Sequence, residues 1–200
     1  MRRTASVWIA IVVGLGLLGA PARALATPIT YEFTGTGSGL LGTSSFSSAS
    51  FVVTLNGDTN DVAVFANVGS IPANENLTGS ITIGALGTAS FTETLFMFSD
   101  LTTLYGFGTF PPGGHGNLIA AILATVPNLV SNFGPVSGPN SALSQFHDEP
   151  TTLGNLTFRT MSDVTFRETT GAAAAPEPAT VVLLASGLAA AARARRRSAR

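Results

Sequence analysis

Apolar and polar residues alternate along the middle of this chain. Ile29, Tyr31 and Phe33 are interleaved with Thr30, Glu32 and Thr34. Ala49, Phe51, Val53 and Leu55 keep the same rhythm, as do Leu77, Gly79, Ile81 and Ile83. Leu156 with Phe158, and Val164 with Phe166, repeat it further on. Successive side chains of a strand point to opposite faces, so period two in β-branched and aromatic residues predicts half-buried strands. Between these runs stand Asn56-Gly57-Asp58, Gly84-Ala85-Leu86-Gly87, Pro111-Pro112-Gly113-Gly114 and Gly134-Pro135 to Gly138-Pro139, which read as turns. The run Asn117 to Val126 is too short for periodicity to separate a helix from a buried strand. Strands at this spacing predict an all-β domain, an antiparallel β-sandwich or a jelly-roll-like pair of sheets. No fixed repeat is visible, which leaves a β-solenoid as the second choice.

Both ends break the alternation. At the start, Arg2 and Arg3 precede an apolar run from Val7 to Ala20, and Ala24-Leu25-Ala26 supplies small residues around one larger one. That order is a secretory signal peptide over residues 1–26, with cleavage after Ala26. Thr4-Ala5-Ser6 after the paired arginines does not continue a twin-arginine signal, so the general translocon and signal peptidase are the expected partners.

At the other end three physically different pieces follow one another. Pro176-Glu177-Pro178 is rigid and extended, because each proline fixes φ and removes a donor. Ala179 to Ala192 is an uncharged apolar run of fourteen residues. Arg193, Arg195, Arg196, Arg197 and Arg200 then form a cationic cluster. An apolar run ending in arginines reads as a transmembrane stop signal with its positive end in the cytoplasm. As a helix the run rises about 21 Å at ~1.5 Å per residue, against a hydrocarbon core of roughly 30 Å. Snorkelling arginine stems make up part of the gap. So short a helix suits a temporary anchor.

This tail, with Pro176, Glu177, Pro178, Ala179 and Thr180 followed by helix and arginines, resembles the PEP-CTERM sorting signal of Gram-negative bacteria. The resemblance implies export, retention in the inner membrane through residues 179–192, and processing by an exosortase, an integral membrane cysteine enzyme. More loosely, Thr27 to Gly37 and Leu153-Gly154-Asn155-Leu156-Thr157-Phe158 look like segments of other exported proteins with such tails, and they imply no activity.

The targeting ends set the domain boundaries: an exported β-rich domain at 27–170, a small-residue linker at 171–175, and the sorting signal at 176–200. Residues 27–175 are one domain's worth of chain, large enough to bury a core without staples. The absence of cysteine rules out a disulfide framework despite export. The whole-chain charge of −1 conceals an acidic domain. Between Thr27 and Ala175, Arg159 and Arg167 stand against ten carboxylates, a net of −8. Such a surface repels nucleic acid and anionic headgroups and favours neutral or cationic partners.

Candidate chemistry is sparse. Gly37-Ser38-Gly39-Leu40-Leu41-Gly42 has dinucleotide spacing, but Thr43 to Ser48 is not a helix opening onto a phosphate. Gly14 to Gly19 of the signal peptide fits equally well, which marks both as glycine-rich coincidences. Asp58, Asn60 and Asp61 crowd one segment and are weak calcium candidates, although Val62 and Ala63 break the EF-hand order. The competing reading is turn chemistry, with Asx side chains bonding their own backbone. His147-Asp148-Glu149 places a histidine beside carboxylates, but neighbours on a strand face opposite ways. With His115 the only other histidine, no zinc site is expected, and no G-x-S-x-G elbow occurs. No catalytic set and no cofactor are assigned. Asn76-Leu77-Thr78 and Asn155-Leu156-Thr157 match glycosylation sequons and are taken as strand and turn residues.

These readings predict a non-enzymatic protein of the cell surface or of the extracellular, exopolysaccharide-rich biofilm matrix. A carbohydrate-binding module is the alternative, and a secreted hydrolase ranks below it. Exposed aromatics on one sheet face would favour sugar binding; a cleft with two facing carboxylates would favour hydrolysis.

Overall fold

The computed structural model describes residues 27–65, 71–100, 103–109, 116–140 and 148–172. Within them eleven strands follow in order: β1 Pro28–Leu41, β2 Ser44–Asp58, β3 Val62–Phe65, β4 Ile71–Ile83, β5 Gly87–Ser90 and β6 Leu95–Ser99. After these come β7 Leu104–Thr109, β8 Gly116–Ile122, β9 Phe133–Gly138, β10 Leu156–Met161 and β11 Val164–Thr170. The expected all-β class is what the chain adopts, and all the strand ladders are antiparallel.

The sheet arrangement differs from the expected sandwich. There is one sheet, ordered β8-β7-β6-β4-β2-β1-β11-β9, with β3 and β5 added along β4 and β10 along β1. Its two outer strands approach each other: Ala121 bridges to Asn140, and the Ile122 amide donates to the Pro139 carbonyl at 3.0 Å. The result is nearly a barrel. β4 makes the curl possible because it changes partners at its middle. Its first residues pair with β3 and β6, and its last pair with β2 and β5. A register shift between Asn74 and Leu77, with Asn76 at φ 65°, marks the corner. Such a bulge bends a strand and re-aims a side chain.

The alternating residues fill the interior. Ile29, Tyr31, Phe33, Phe51, Val53, Leu55, Leu77, Ile81, Ile83, Leu156, Phe158, Val164 and Phe166 are all buried in one core. Phe33 is its aromatic centre, with the rings of Tyr105, Phe107 and Phe166 at centroid distances of 5.6, 5.0 and 5.0 Å. Aromatic pairs at such spacing add ~0.5–1.5 kcal/mol each beyond the area they bury. A second cluster of Ala73, Phe96, Phe98 and Ala120 lies on the opposite face of β4, β6 and β8. There the sheet is buried on both sides. The ambiguous run after Asn117 is a strand, β8, which ends at Ile122.

Turn signals in the sequence are only partly turns in the fold. Gly84–Leu86 is a 3-10 turn, as expected. Asn56 and Gly57, however, lie inside β2, opposite Thr30 and Ile29, and the chain reverses only at the 3-10 turn Thr59–Asp61. Gly134 to Gly138 likewise runs within β9, and the register shift there lies between Phe166 and Glu168.

β1 opens and β11 closes at the same end of the barrel, where Ile29 faces Thr170 and the Gly171 amide donates to the Pro28 carbonyl at 2.8 Å. We call this the exit end.

Candidate functional site

Polar groups are turned inward near the exit end. The Tyr31 hydroxyl donates to the Leu129 carbonyl at 2.8 Å and accepts from the Asn74 side-chain amide at 2.8 Å. Asn74 is carried inward by the β4 bulge, and its amide also donates to the Asp58 carbonyl at 3.0 Å. Burial raises the Tyr31 hydroxyl above its ordinary range, with the Asn74 bond opposing and nearby Glu168 adding to the rise.

Glu168 stands opposite Tyr31 in the β1–β11 ladder and is 2% exposed. Among the described residues neither carboxyl oxygen meets a donor in good hydrogen-bond geometry, although the Ser131 main chain lies near. Desolvation pushes its pKa up to about 8, with the Ser131 main chain acting weakly the other way. Burial therefore favours the neutral carboxyl over the carboxylate. A cleft of about 450 Å³ lined by Asn132, Phe133, Gly134, Arg167, Glu168 and Thr169 opens beside it. Arg167 and Thr169 are exposed and Glu168 is buried, so strand alternation turns the Glu168 side chain away from the cleft. The carboxyl faces the interior.

Glu149 is the other buried acid. Its Oε1 accepts from the Thr109 hydroxyl at 3.1 Å and its Oε2 has no partner. Burial pushes its pKa up to about 7, with Glu93 adding to the rise and Thr109 lowering it. Asp148 is exposed and accepts from the Thr157 hydroxyl, so the two neighbours do face opposite ways. His115 and His147 lie outside the described residues. Glu149 bonds Thr109 of β7, whereas Glu168 faces β1 and the Ser131 loop. The sequence pattern drew attention to Glu149 only as the neighbour of His147 and Asp148, and not to Glu168. For Glu168 the signal was present, since Val164, Phe166 and Glu168 share one strand face.

The weak calcium candidates form a cap. The Asp58 carboxylate accepts from the Asn60 amide at 2.7 Å and closes the 3-10 turn, which is the Asx chemistry weighed against calcium. Among the described residues no group of three or more His, Asp or Glu side chains is placed to hold a metal. The glycine-rich run 37–42 is the end of β1 and its turn into β2, with Gly42 at φ 58° and no helix following. Asn76 lies in the β4 bulge and Asn155 just before β10, and both are exposed. The exposed large hydrophobics among the described residues are Val52, Val64, Ile122, Val130 and Leu153, all aliphatic.

Ala24, Ala26, Pro176, Glu177, Pro178, Arg193, Arg195, Arg196 and Arg197 lie outside the described residues. For the tail, comparison with known families decides. Residues 174–197 match the family model of the PEP-CTERM protein-sorting motif. The chain carries a PEP-CTERM sorting signal. The matched stretch takes in the Pro-Glu-Pro, the apolar run and the arginines through Arg197. A PEP-CTERM signal implies export, a membrane-anchored sorting step and exosortase as the processing partner. No curated protein and no solved structure matches the chain. Among the described residues no helix is long and apolar enough to cross a membrane. The PEP-CTERM match begins three residues after Gly171, where the barrel's hydrogen bonding to Pro28 ends.

Proposed function

We propose that this is a non-enzymatic protein of the cell surface or extracellular matrix. It is delivered there by exosortase processing of its PEP-CTERM tail and associates with exopolysaccharide. The PEP-CTERM match at residues 174–197 supports the sorting part of this reading. Residues 1–26 act as the signal peptide, cleaved after Ala26, and 179–192 hold the precursor in the inner membrane until processing. The mature protein begins at Thr27 and carries the β-domain of 27–170.

Three further observations support the role assigned to the domain. Its formal net charge of −8, from two arginines against ten acids with every carboxyl counted as ionised, favours neutral partners such as uncharged sugar hydroxyls over nucleic acid or lipid, and it stays acidic with Glu149 and Glu168 protonated. Its most perturbed carboxyls, Glu149 and Glu168, face the interior. Its outward strand positions present Thr and Ser, among them Thr54, Thr82, Thr88 and Thr165.

In the tail, Pro176 and Pro178 hold the backbone extended with its polar groups free for an enzyme groove. Glu177 is the lone charge between Glu168 and Arg193 and serves as the electrostatic handle. The test is fractionation in a host that has the sorting enzyme, beside one that lacks it. Glu177→Ala is expected to be exported and folded but to stay unprocessed in the inner membrane. Replacing Arg195, Arg196 and Arg197 is expected to weaken retention instead. Processing of Glu177→Ala at the wild-type rate would reduce the Pro-Glu-Pro to a linker. For the domain itself, the expected result is co-sedimentation of purified residues 27–171 with the host's exopolysaccharide.

A further inference from the structure

We infer that the exit end of the barrel is the surface presented to the membrane and the sorting enzyme, and that residues 171–175 set the clearance that enzyme needs. This rests on the sorting reading above.

The exit end is built from parts far apart in sequence. Gly171 is bonded to Pro28, the Thr59 amide donates to the Thr27 carbonyl at 3.0 Å, and the Thr170 amide donates to Asn132 Oδ1 at 2.7 Å. The Tyr31 hydroxyl fixes the same loop from inside through Leu129. Thr27–Pro28, the 58–61 turn, the 128–132 loop and Thr170–Gly171 thus form one stapled surface. Both processing positions hang from it, because Ala26 directly precedes Thr27 and Pro176 lies five residues beyond Gly171.

Chain reach keeps the sorting motif there. The six Cα steps from Thr170 to Pro176 span about 20 Å at full extension. β1 runs fourteen residues from the exit end toward the Gly42–Thr43 turn, roughly 43 Å of strand at ~3.3 Å per residue. The tether is about half that length. Whatever the tilt of the barrel, the residues nearest an enzyme holding Pro176–Pro178 are those of the exit end. Ala179, the first residue of the membrane run, follows directly. Asp58 and Asp61 lie at the same end, and anionic headgroups repel them. The barrel therefore stands off the bilayer.

The enzyme must then fit between a folded barrel and the membrane, in the length that Gly171 to Ala175 provides. Deleting Ala172, Ala173 and Ala174 halves the tether and should leave export, signal cleavage and anchoring intact while the processed product is lost. Refilling the gap with Ser-Gly-Ser should restore it, because length rather than sequence is what matters. Glu177→Ala runs alongside. If the deletion is processed like wild type while Glu177→Ala is not, this inference falls and the sorting reading stands. If Glu177→Ala is itself processed like wild type, both fall.

A second measurement does not depend on the deletion folding. A photo-reactive residue at Asn60, exposed at the exit end, should cross-link the full-length precursor to the sorting enzyme. The same group at Thr43, exposed at the far turn, should not. Equal cross-linking from both positions would overturn the assignment.

Discussion

Glu168 and Glu149 sit in the barrel wall with no ion partner among the described residues, and for these two groups this reverses the usual acid sensitivity. Their pKa values are raised to about 8 and about 7 from 4.5, so the folded chain holds protons that the unfolded chain has already lost. Stability follows the difference in bound protons. It is full below about pH 4.5 for these two groups and declines as pH rises through 7 and 8. The melting temperature of residues 27–171 is therefore expected to be higher at pH 5 than at pH 9. Glu168→Gln keeps the shape and removes the charge, so it should raise the pH 9 value and flatten the profile. A melting temperature that rises with pH would mean that these carboxyls ionise without cost in the folded state. The inward position of Glu168 was legible from its spacing after Val164 and Phe166. Its lack of a partner was not, because the residues around it come from β1, β9 and the 128–132 loop.

At the scale of elements, alternation works where one face is wet and fails where both are dry. β1, β2 and β11 were readable for that reason. β6, with Leu95 to Ser99 all buried, and β7, buried from Tyr105 to Thr109, show no period two, since both faces pack. Glycine-proline signals misplaced the ends of β2 and β9. Glycine there serves close approach rather than reversal. A Cβ at Gly138 would collide with the carbonyl oxygen of Ile122, across the seam where β8 meets the end of β9. Gly138→Ala should therefore destabilise the domain by about 1–3 kcal/mol, the usual cost of overpacking, and urea titration would measure it. The loss should exceed that of Gly87→Ser, where nothing lies near the added atom and only the positive φ of 88° resists. Equal losses would show that the seam is slack.

Over the whole molecule, far-UV circular dichroism of residues 27–171 should be β-dominated, and a helical double minimum would contradict the fold. The sequence by itself determined the all-β class, most core residues and the sorting tail. Each is written locally: period two in a strand, and motif, apolar run and arginines within one short stretch. Tertiary structure alone decided that the strands make one nearly closed sheet rather than two. That choice depends on the β4 bulge and on Ala121 meeting Asn140, contacts between residues that no local pattern links. It likewise decided that Thr27 and Gly171 leave from one end. An antiparallel pairing between the first strand and the last is a long-range contact, and its register exists only once the sheet has formed.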